Sequence, residues 1–187
     1  MAVRSRRAPA PDAPSPGLLA GSDPDADPVE VGKQIVLRQL SHAPKTRHQL
    51  AQVLASRNVP DEAAEAALDR ITELGYIDDA AFAREWVESR HRCKGLSERV
   101  LRRELVDRGV ATDLIDEALL VVDADSERAA AAALVAKKLR SLRGLDRESQ
   151  TRRLVGLLGR KGYPPGMAFS LVREALDETE VDHARNA

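Results

Sequence analysis

The stretch that decides the fold runs from Gly75 to Val110 and reads GYIDDAAFAREWVESRHRCKGLSERVLRRELVDRGV. Gly75 follows a run of apolar residues at helical spacing, and a helix that ends on a left-handed residue most often does so on glycine. Asp78 and Ser97 are residue types that cap helix N-termini, and each lies between apolar residues with the spacing of a hydrophobic staple. The stretch therefore predicts the end of one helix, followed by two further helices and the loop between them.

The composition favours a helical protein. Hydrophobic residues make up 43% of the 187 residues and aromatic residues only 3%, which suits helices packed through small and aliphatic side chains better than a sheet. No apolar run reaches the roughly 20 residues of a membrane helix, and the N-terminus has no hydrophobic segment typical of a secretory signal. Cys93 is the only cysteine, which excludes an internal disulfide. We therefore expect an all-α, cytoplasmic protein that does not enter a membrane.

The two ends differ in composition from the body. Residues 1–28 hold six of the ten prolines, and such a segment buries too little apolar surface to offset its chain entropy. We predict a disordered N-terminal tail there and a flexible acidic C-terminal tail over residues 178–187. Between the tails the sequence predicts nine helices, three of them between 29 and 75 and the others at about 78–93, 97–108, 112–122, 125–142, 146–160 and 165–177.

An internal repeat organises the body. Leu50, Leu54, Val59, Ala64 and Leu68 have counterparts with identical spacing 51 residues later and again after a further 53 residues. Each copy contains a turn of one basic residue, one residue that tolerates positive φ and one apolar residue: Arg57-Asn58-Val59, Arg108-Gly109-Val110 and Lys161-Gly162-Tyr163. The repeat predicts three tandem three-helix modules, 29–77, 78–124 and 125–177, which are helix-turn-helix-like and form an elongated, curved array.

The sequence offers no convincing catalytic or metal-binding motif. Gly156, Gly159 and Gly162 fall inside or at the end of a predicted helix, without the strand and the Gly-Lys-Ser/Thr of a phosphate loop. The four histidines show neither an i, i+4 pair nor a nearby thiolate pair, so we expect no metal. Helix capping accounts for both Asp78 and Asp79. We therefore expect neither an enzyme nor a bound cofactor.

Basic residues are the remaining candidates for a functional surface. From 126 to 176 there are 11 Lys and Arg against 4 Asp and Glu, and the corresponding part of the second module is also basic. The simplest alternative is salt bridging to acidic neighbours, namely Glu88, Glu98, Glu104 and Glu148. Major-groove reading is disfavoured, because the third helix of the second module carries mainly acidic charges that phosphate would repel. The candidate partner-binding residues are Arg90, Arg92, Lys94, Arg99, Arg102, Arg103, Lys137, Lys138, Arg140, Arg143, Arg152 and Arg153.

The central stretch also carries a family signature. Its residues are Gly75, Tyr76, Ile77, Asp78, Asp79, Phe82, Ala83, Trp86, Arg90, Gly95, Arg99, Glu104, Leu105, Arg108, Gly109 and Val110. In this order they resemble the middle module of the RecX family, regulators of the RecA recombinase. The resemblance extends from about 31 to 177 and includes the tandem three-helix architecture. Glu98 departs from the family pattern, since relatives often have a basic residue in this turn.

The resemblance implies a non-enzymatic modulator that docks in the helical groove of the RecA–DNA filament. It would suppress the ATPase, recombinase and coprotease activities of RecA and so modulate recombination, DNA repair and the SOS response. Some members of the family also bind DNA, so single- or double-stranded DNA is a second expected partner, and we expect a monomer. Two other hypotheses remain open: a general DNA-binding helical module without a RecA partner, and a helical-repeat scaffold for an unrelated protein.

Overall fold

The computed structural model describes residues 27–185, with side chains up to Glu180. Over this range the backbone forms nine α-helices, one short 3-10 turn at Arg140–Leu142 and no β-strand, which confirms the all-α prediction. The helices are α1 (Pro28–Leu40), α2 (Arg47–Ser56), α3 (Asp61–Glu73), α4 (Asp79–Lys94), α5 (Glu98–Val106), α6 (Thr112–Leu119), α7 (Ala124–Leu139), α8 (Arg147–Lys161) and α9 (Pro165–Arg185).

The predicted helix ends are present. Asp78 and Ser97 each accept a hydrogen bond from the backbone N–H three residues further on, at the starts of α4 and α5. Thr46 and Gln49 form a capping box at the start of α2, with both reciprocal hydrogen bonds made. Gly75 has a φ of +77° just after α3, a conformation that glycine adopts without steric cost. Local sequence therefore determines where these helices begin and end.

The repeated turn between the second and third helices has one conformation in all three copies. Asn58, Gly109 and Gly162 have φ values of 57°, 72° and 94°. The apolar residue that follows is buried each time and donates its backbone N–H to a carbonyl of the preceding helix at 3.1–3.2 Å: Val59, Val110 and Tyr163. This is the hydrogen bond of a Schellman motif, and it confirms the repeat at the level of the backbone.

Each group of three helices has its own hydrophobic core. We call α1–α3 module 1, α4–α6 module 2 and α7–α9 module 3, because each helix packs chiefly against helices of its own group. The leucines at the first two repeat positions are fully buried in every copy: Leu50, Leu54, Leu101, Leu105, Leu154 and Leu158. Ala64 is only half-buried, whereas its counterparts Ile115 and Ala168 are buried. The repeated spacing thus marks the core of each module.

Modules 1 and 2 meet at what we call the first joint. The Thr46 hydroxyl donates to the carbonyl of Arg108 at 2.6 Å, and Asp79 accepts the backbone N–H of Arg47 at 2.9 Å. Asp79 therefore caps α2 of the preceding module, whereas Asp78 caps its own helix α4. The sequence predicted a capping role for both residues but not that they cap different helices. A carboxylate at the N-terminus of a helix also interacts favourably with the helix dipole.

Modules 2 and 3 meet at the second joint through equivalent positions. Ser97, the counterpart of Thr46, donates its backbone N–H to the carbonyl of Lys161 at 3.0 Å. Glu127 accepts a hydrogen bond from the backbone N–H of Glu98 at 2.6 Å. Asp79 has the same role at the first joint, where it accepts from the N–H of Arg47. The Tyr163 hydroxyl also donates to the carbonyl of Gly95 at 3.2 Å. The same stacking contact is therefore used twice, with an added hydrogen bond from a buried aromatic residue the second time.

The ends of the described range differ in one respect from expectation. The last helix was predicted to end near 177, but α9 continues to Arg185. The flexible acidic tail was predicted over 178–187, of which residues 186–187 lie outside the described residues. A polar segment continues an existing helix readily when it contains good helix formers such as Glu and Ala. The predicted disordered tail falls almost entirely on residues 1–26, which lie outside the described residues, and Pro28 belongs to α1.

Candidate partner-binding surface

The structure separates the twelve candidate cations into two groups. Arg90, Arg92 and Arg102 form ion pairs with acidic residues of module 2. The other nine are exposed and form no ion pair with any described carboxylate: Lys94, Arg99, Arg103, Lys137, Lys138, Arg140, Arg143, Arg152 and Arg153. A cation without a carboxylate partner keeps its full charge for an external ligand. The salt-bridge alternative therefore applies to a quarter of the set.

Arg102 connects two helices of its module. It pairs with Glu98 at 3.1 Å and with Asp116 across the gap between α5 and α6. The hydrogen bonds that Arg102 donates to Asp116 and Glu98 raise the pKa of Arg102 above its ordinary value. Glu98 is the acidic residue that departs from the family pattern, and its carboxylate holds this arginine. Arg102 therefore links α5 to α6 within module 2, and unlike nine of the candidates it is ion-paired.

Arg90 belongs to a cluster around Trp86. The guanidinium carbons of Arg90 and Arg108 lie 4.1 Å and 3.7 Å from the centre of the indole ring, distances typical of cation–π contacts. The indole N–H donates to Glu104 at 2.8 Å, and the ring stacks on Phe82 at 5.6 Å. The ring of Trp86 is half-buried. Arg108 was not among the candidate residues, because nothing in the sequence relates it to a ring 22 positions earlier.

Only one free cation recurs at the same repeat position in both modules. Arg99 of α5 and Arg152 of α8 are 53 residues apart, the spacing of the repeat. The positions that correspond to Arg102 and Arg103 hold Val155 and Gly156 in module 3. The basic clusters therefore lie in the same region of the two modules, but only Arg99 and Arg152 occupy equivalent repeat positions.

The candidates line two separate depressions on the surface. Arg99 and Arg102 lie beside Pro164 and Pro165 in a pocket of about 450 Å³ at the second joint. Arg140 and Arg143 lie with Arg147 in a cleft of about 520 Å³ between the end of α7 and α9. The two depressions have no residue in common. The free charges thus cover a surface that spans modules 2 and 3, which is suited to an extended partner.

Family models match two segments of this chain, and curated proteins are similar to it over most of its length. Family models for the first and second three-helix domains of RecX match residues 33–70 and 78–119. Regulatory protein RecX of Streptomyces coelicolor is 51% identical over 160 residues, which cover 86% of this chain and 85% of that protein. The protein of the same name from Thermobifida fusca is 44% identical over 166 residues, covering 89% and 90%. The chain belongs to the RecX family.

Two solved RecX structures have the same fold. The crystal structure of RecX from Lactobacillus salivarius gives a TM-score of 0.69 at 17% identity and covers 79% of this chain and 96% of that one. A second, titled regulatory protein RecX, gives 0.67 at 21% identity and covers 79% and 72%. The RecX relatives are named regulatory proteins. Within the described part of this chain, no helix is long and apolar enough to span a membrane, and no three or more His, Cys, Asp or Glu residues form a potential metal site.

Proposed function

We propose that this RecX-family chain binds the RecA–DNA filament and suppresses the ATPase, recombinase and coprotease activities of RecA. Its free cations on modules 2 and 3 contact acidic groups of the filament. Because the groups are distributed along two modules, a partner that extends along the chain satisfies more of them than a small ligand does. The protein would thereby modulate recombination, DNA repair and the SOS response without catalysis of its own.

The observation that carries this proposal is the set of nine exposed cations that form no ion pair with a carboxylate of the described residues. A protein with a net charge of −1 gains little from bulk electrostatics, so the local arrangement of charge must supply the attraction. Arg99 and Arg152 repeat the same cation in successive modules. A repeated cation on a repeated fold is the arrangement expected for a partner that is itself a repeating filament.

The test measures the DNA-dependent ATPase of RecA as this protein is added at substoichiometric ratio. One variant replaces three free cations, Arg99→Ala, Arg103→Ala and Arg152→Ala. A matched control removes the same charge from three paired arginines, Arg70, Arg84 and Arg128, whose partners lie at 3.0, 4.0 and 2.5 Å. The first variant should need about tenfold more protein for half-inhibition, equivalent to about 1.4 kcal/mol, while the control stays within about twofold of the wild type.

Two results would contradict the proposal. If the unaltered protein does not inhibit at any ratio, RecA is not the partner. If both triple variants lose inhibition equally, net charge alone matters and the free cations have no special role. Circular dichroism of each variant establishes that helix content is unchanged.

The alternative of a general DNA-binding module is separated from this proposal by salt. If about four phosphates of single-stranded DNA were neutralised, affinity would fall roughly 50-fold between 50 and 200 mM salt. Tight, salt-sensitive DNA binding without RecA, lost in the Arg99, Arg103 and Arg152 variant, would favour the alternative. We expect weak DNA binding, because the chain as a whole is slightly acidic.

A further inference from the structure

The outer face between the second and third helices is closed by ion pairs in the first two modules. In module 1, Arg47 of α2 pairs with Glu65 and Asp69 of α3, both at 2.7 Å. In module 2, Arg102 of α5 pairs with Asp116 of α6. Glu65 and Asp116 occupy the same repeat position, 51 residues apart. An arginine from the second helix thus reaches the same carboxylate position of the third helix each time.

Module 3 has an apolar surface at these positions. The residue 53 positions after Asp116 is Phe169 of α9, and the residue 53 positions after Arg102 is Val155 of α8. Phe169 is 56% exposed. It lines an open groove of about 770 Å³ together with Thr151, Val155 and Gly156. We call this surface the Phe169 groove. Neither an ion pair nor a core contact of the module accounts for this ring.

The rim of the groove is mainly basic. Arg152 and Arg147 line one side with Glu148, and Arg173 lines the adjoining depression that shares Phe169. Arg152 and Arg173 form no ion pair within 4 Å of a described carboxylate, although their charges help to lower the pKa of Asp146 and of Glu174 respectively. Arg147 is held by Asp177 and Glu180. Module 3 as a whole, from 124 to 185, has 12 Lys and Arg against 9 Asp and Glu, a net charge of +3. An anionic partner is therefore attracted to this face of module 3.

We propose that the Phe169 groove docks a short acidic peptide segment of a partner protein. An aromatic or branched aliphatic side chain of the peptide packs against Phe169 and Val155, and flanking carboxylates contact Arg152 and Arg173. An apolar anchor within a charged rim is the usual arrangement of energetically important contacts in protein interfaces. Apart from Arg152, this surface shares no residue with the free cations assigned above to RecA binding, and the interaction does not require RecA.

The shape and chemistry of the groove favour a peptide over single-stranded nucleic acid. Stacking platforms for nucleic acid place several aromatic side chains along a basic groove, whereas Phe169 is the one aromatic residue that lines this groove. A concave apolar surface beside the ring accommodates one inserted side chain, which is how anchors bind in peptide-recognition grooves.

The experiment is fluorescence anisotropy of the full chain, without RecA, against a labelled acidic peptide that contains one Phe and one Leu between Glu residues. Two comparison peptides replace either the two apolar residues with Ser or the Glu residues with Gln. Phe169→Ala should weaken binding of the acidic apolar peptide at least about tenfold, and Arg173→Gln by about threefold. The matched control is Leu120→Ala, which removes a 79% exposed apolar side chain at the position of module 2 that corresponds to Arg173 and should leave affinity unchanged.

Each other outcome overturns the inference. Absence of binding by the unaltered protein, equal affinity for the Ser-substituted peptide, or full affinity in Phe169→Ala would each do so. Binding of an oligo-dT probe that requires Phe169, without peptide binding, would assign the groove to nucleic acid. Self-association in sedimentation velocity that Phe169→Ala abolishes would assign it to a second copy of the chain. A negative peptide result alongside RecA inhibition would leave the proposed function intact, and the converse also holds.

Discussion

At the first joint an exposed histidine lies over a glycine, whereas at the second joint buried side chains surround the equivalent glycine. A β-carbon on Gly109 would lie 2.2 Å from Cγ of His48, and one on Gly162 would lie 2.3 Å from Oγ of Ser97. Ser97 is 1% exposed, while His48 is exposed. The Tyr163 hydroxyl adds a hydrogen bond at the second joint, and its counterpart at the first joint is Val110, which has no polar group.

This difference indicates that the two joints are unequally strong. Both joints contain a carboxylate that caps the neighbouring module and a helix N-cap residue that contacts its turn. Modules 1 and 2 are therefore stacked in the same register as modules 2 and 3. The second joint has more buried side chains and two additional hydrogen bonds, from the Tyr163 hydroxyl and from Lys161 Nζ to the Lys94 carbonyl at 2.7 Å. It should therefore open less readily. Modules 2 and 3 should therefore behave more nearly as one body, to which module 1 is attached by the weaker contact.

The largest expected effect comes from adding a methyl group to the glycines of the joints. Gly162→Ala combines a positive φ with collision against Ser97 and Val100, and should lower the free energy of unfolding by roughly 2–5 kcal/mol. Gly109→Ala should cost less, because the exposed His48 side chain can move aside. Gly75 has φ +77° with no atom within 4 Å, so Gly75→Ala measures the backbone contribution alone, about 1–2 kcal/mol. Urea denaturation gives all three values. Equal losses at Gly75 and Gly162 would refute the close packing of the second joint.

The next largest effect comes from removing the side-chain hydroxyls of Thr46 and Ser97. The first joint uses the Thr46 hydroxyl as its donor, whereas the second uses the backbone N–H of Ser97. Thr46→Ala removes both the α2 cap and the hydrogen bond to the Arg108 carbonyl, and should cost about 2–3 kcal/mol. Ser97→Ala removes a cap but keeps the N–H that binds the Lys161 carbonyl, and should cost about 1 kcal/mol. Thr46→Ser is the control and should be close to the wild type. If Ser97→Ala proves the more damaging, the hydroxyl of Thr46 is not what holds the first joint.

Alkaline pH should weaken the second joint selectively. Burial, and to a lesser extent the negative charge of Glu127, raise the pKa of Tyr163 to about 12. The stabilisation by neutral Tyr163 is therefore complete below the unfolded pKa of about 10 and is lost as pH rises through 12. The loss should be on the order of 2 kcal/mol. Denaturation curves of the wild type and Tyr163→Phe, measured between pH 9 and about 11.5, should converge. Parallel curves would mean that the hydroxyl is not held in a buried site.

The smallest effect concerns the two carboxylates that cap a neighbouring module. Asp79→Asn and Glu127→Gln keep the size of each side chain and remove its charge, so each should cost about 0.5–1 kcal/mol. Hydrogen exchange at the amides of Arg47 and Glu98 reports the two contacts separately. Each substitution should accelerate exchange at its own partner amide and leave the other unchanged. Acceleration at both amides would show that the joints are coupled.

Sequence alone predicted the parts of the structure that depend on neighbouring residues. The caps at Asp78 and Ser97, the positive φ at Gly75 and Gly162, and the fully buried repeat leucines all follow from local chemistry and helical periodicity. Helix ends came within a few residues, except that α9 is longer. These features need no knowledge of how one module lies on the next.

Contacts between distant residues could not be predicted from the sequence. Asp79 acts on Arg47, 32 residues earlier, and Arg102 is held by Asp116 on the following helix. A pattern of charges gives the face of a helix but not the distance to a carboxylate on another helix. For that reason the sequence could not tell which candidate cations form ion pairs, and it did not identify Arg108 or Phe169. Aligning the three repeats position by position would have shown Phe169 where the other copies carry an acid.

The joint cannot be extended at either end of the array. Both stacking turns contain a glycine, whereas the turn of module 1 has Asn58, whose side chain would lie where a preceding module would dock. At the opposite end, Gln150 stands where Thr46 and Ser97 stand, and its side-chain amide is already committed to the carbonyls of Leu142 and Leu145 at 3.0 Å. The α8 helix also starts one turn early, at Arg147, over the surface where a fourth turn would dock. Neither end of the array therefore offers the surface that the joints use. Copies of this chain should not polymerise end to end through that contact.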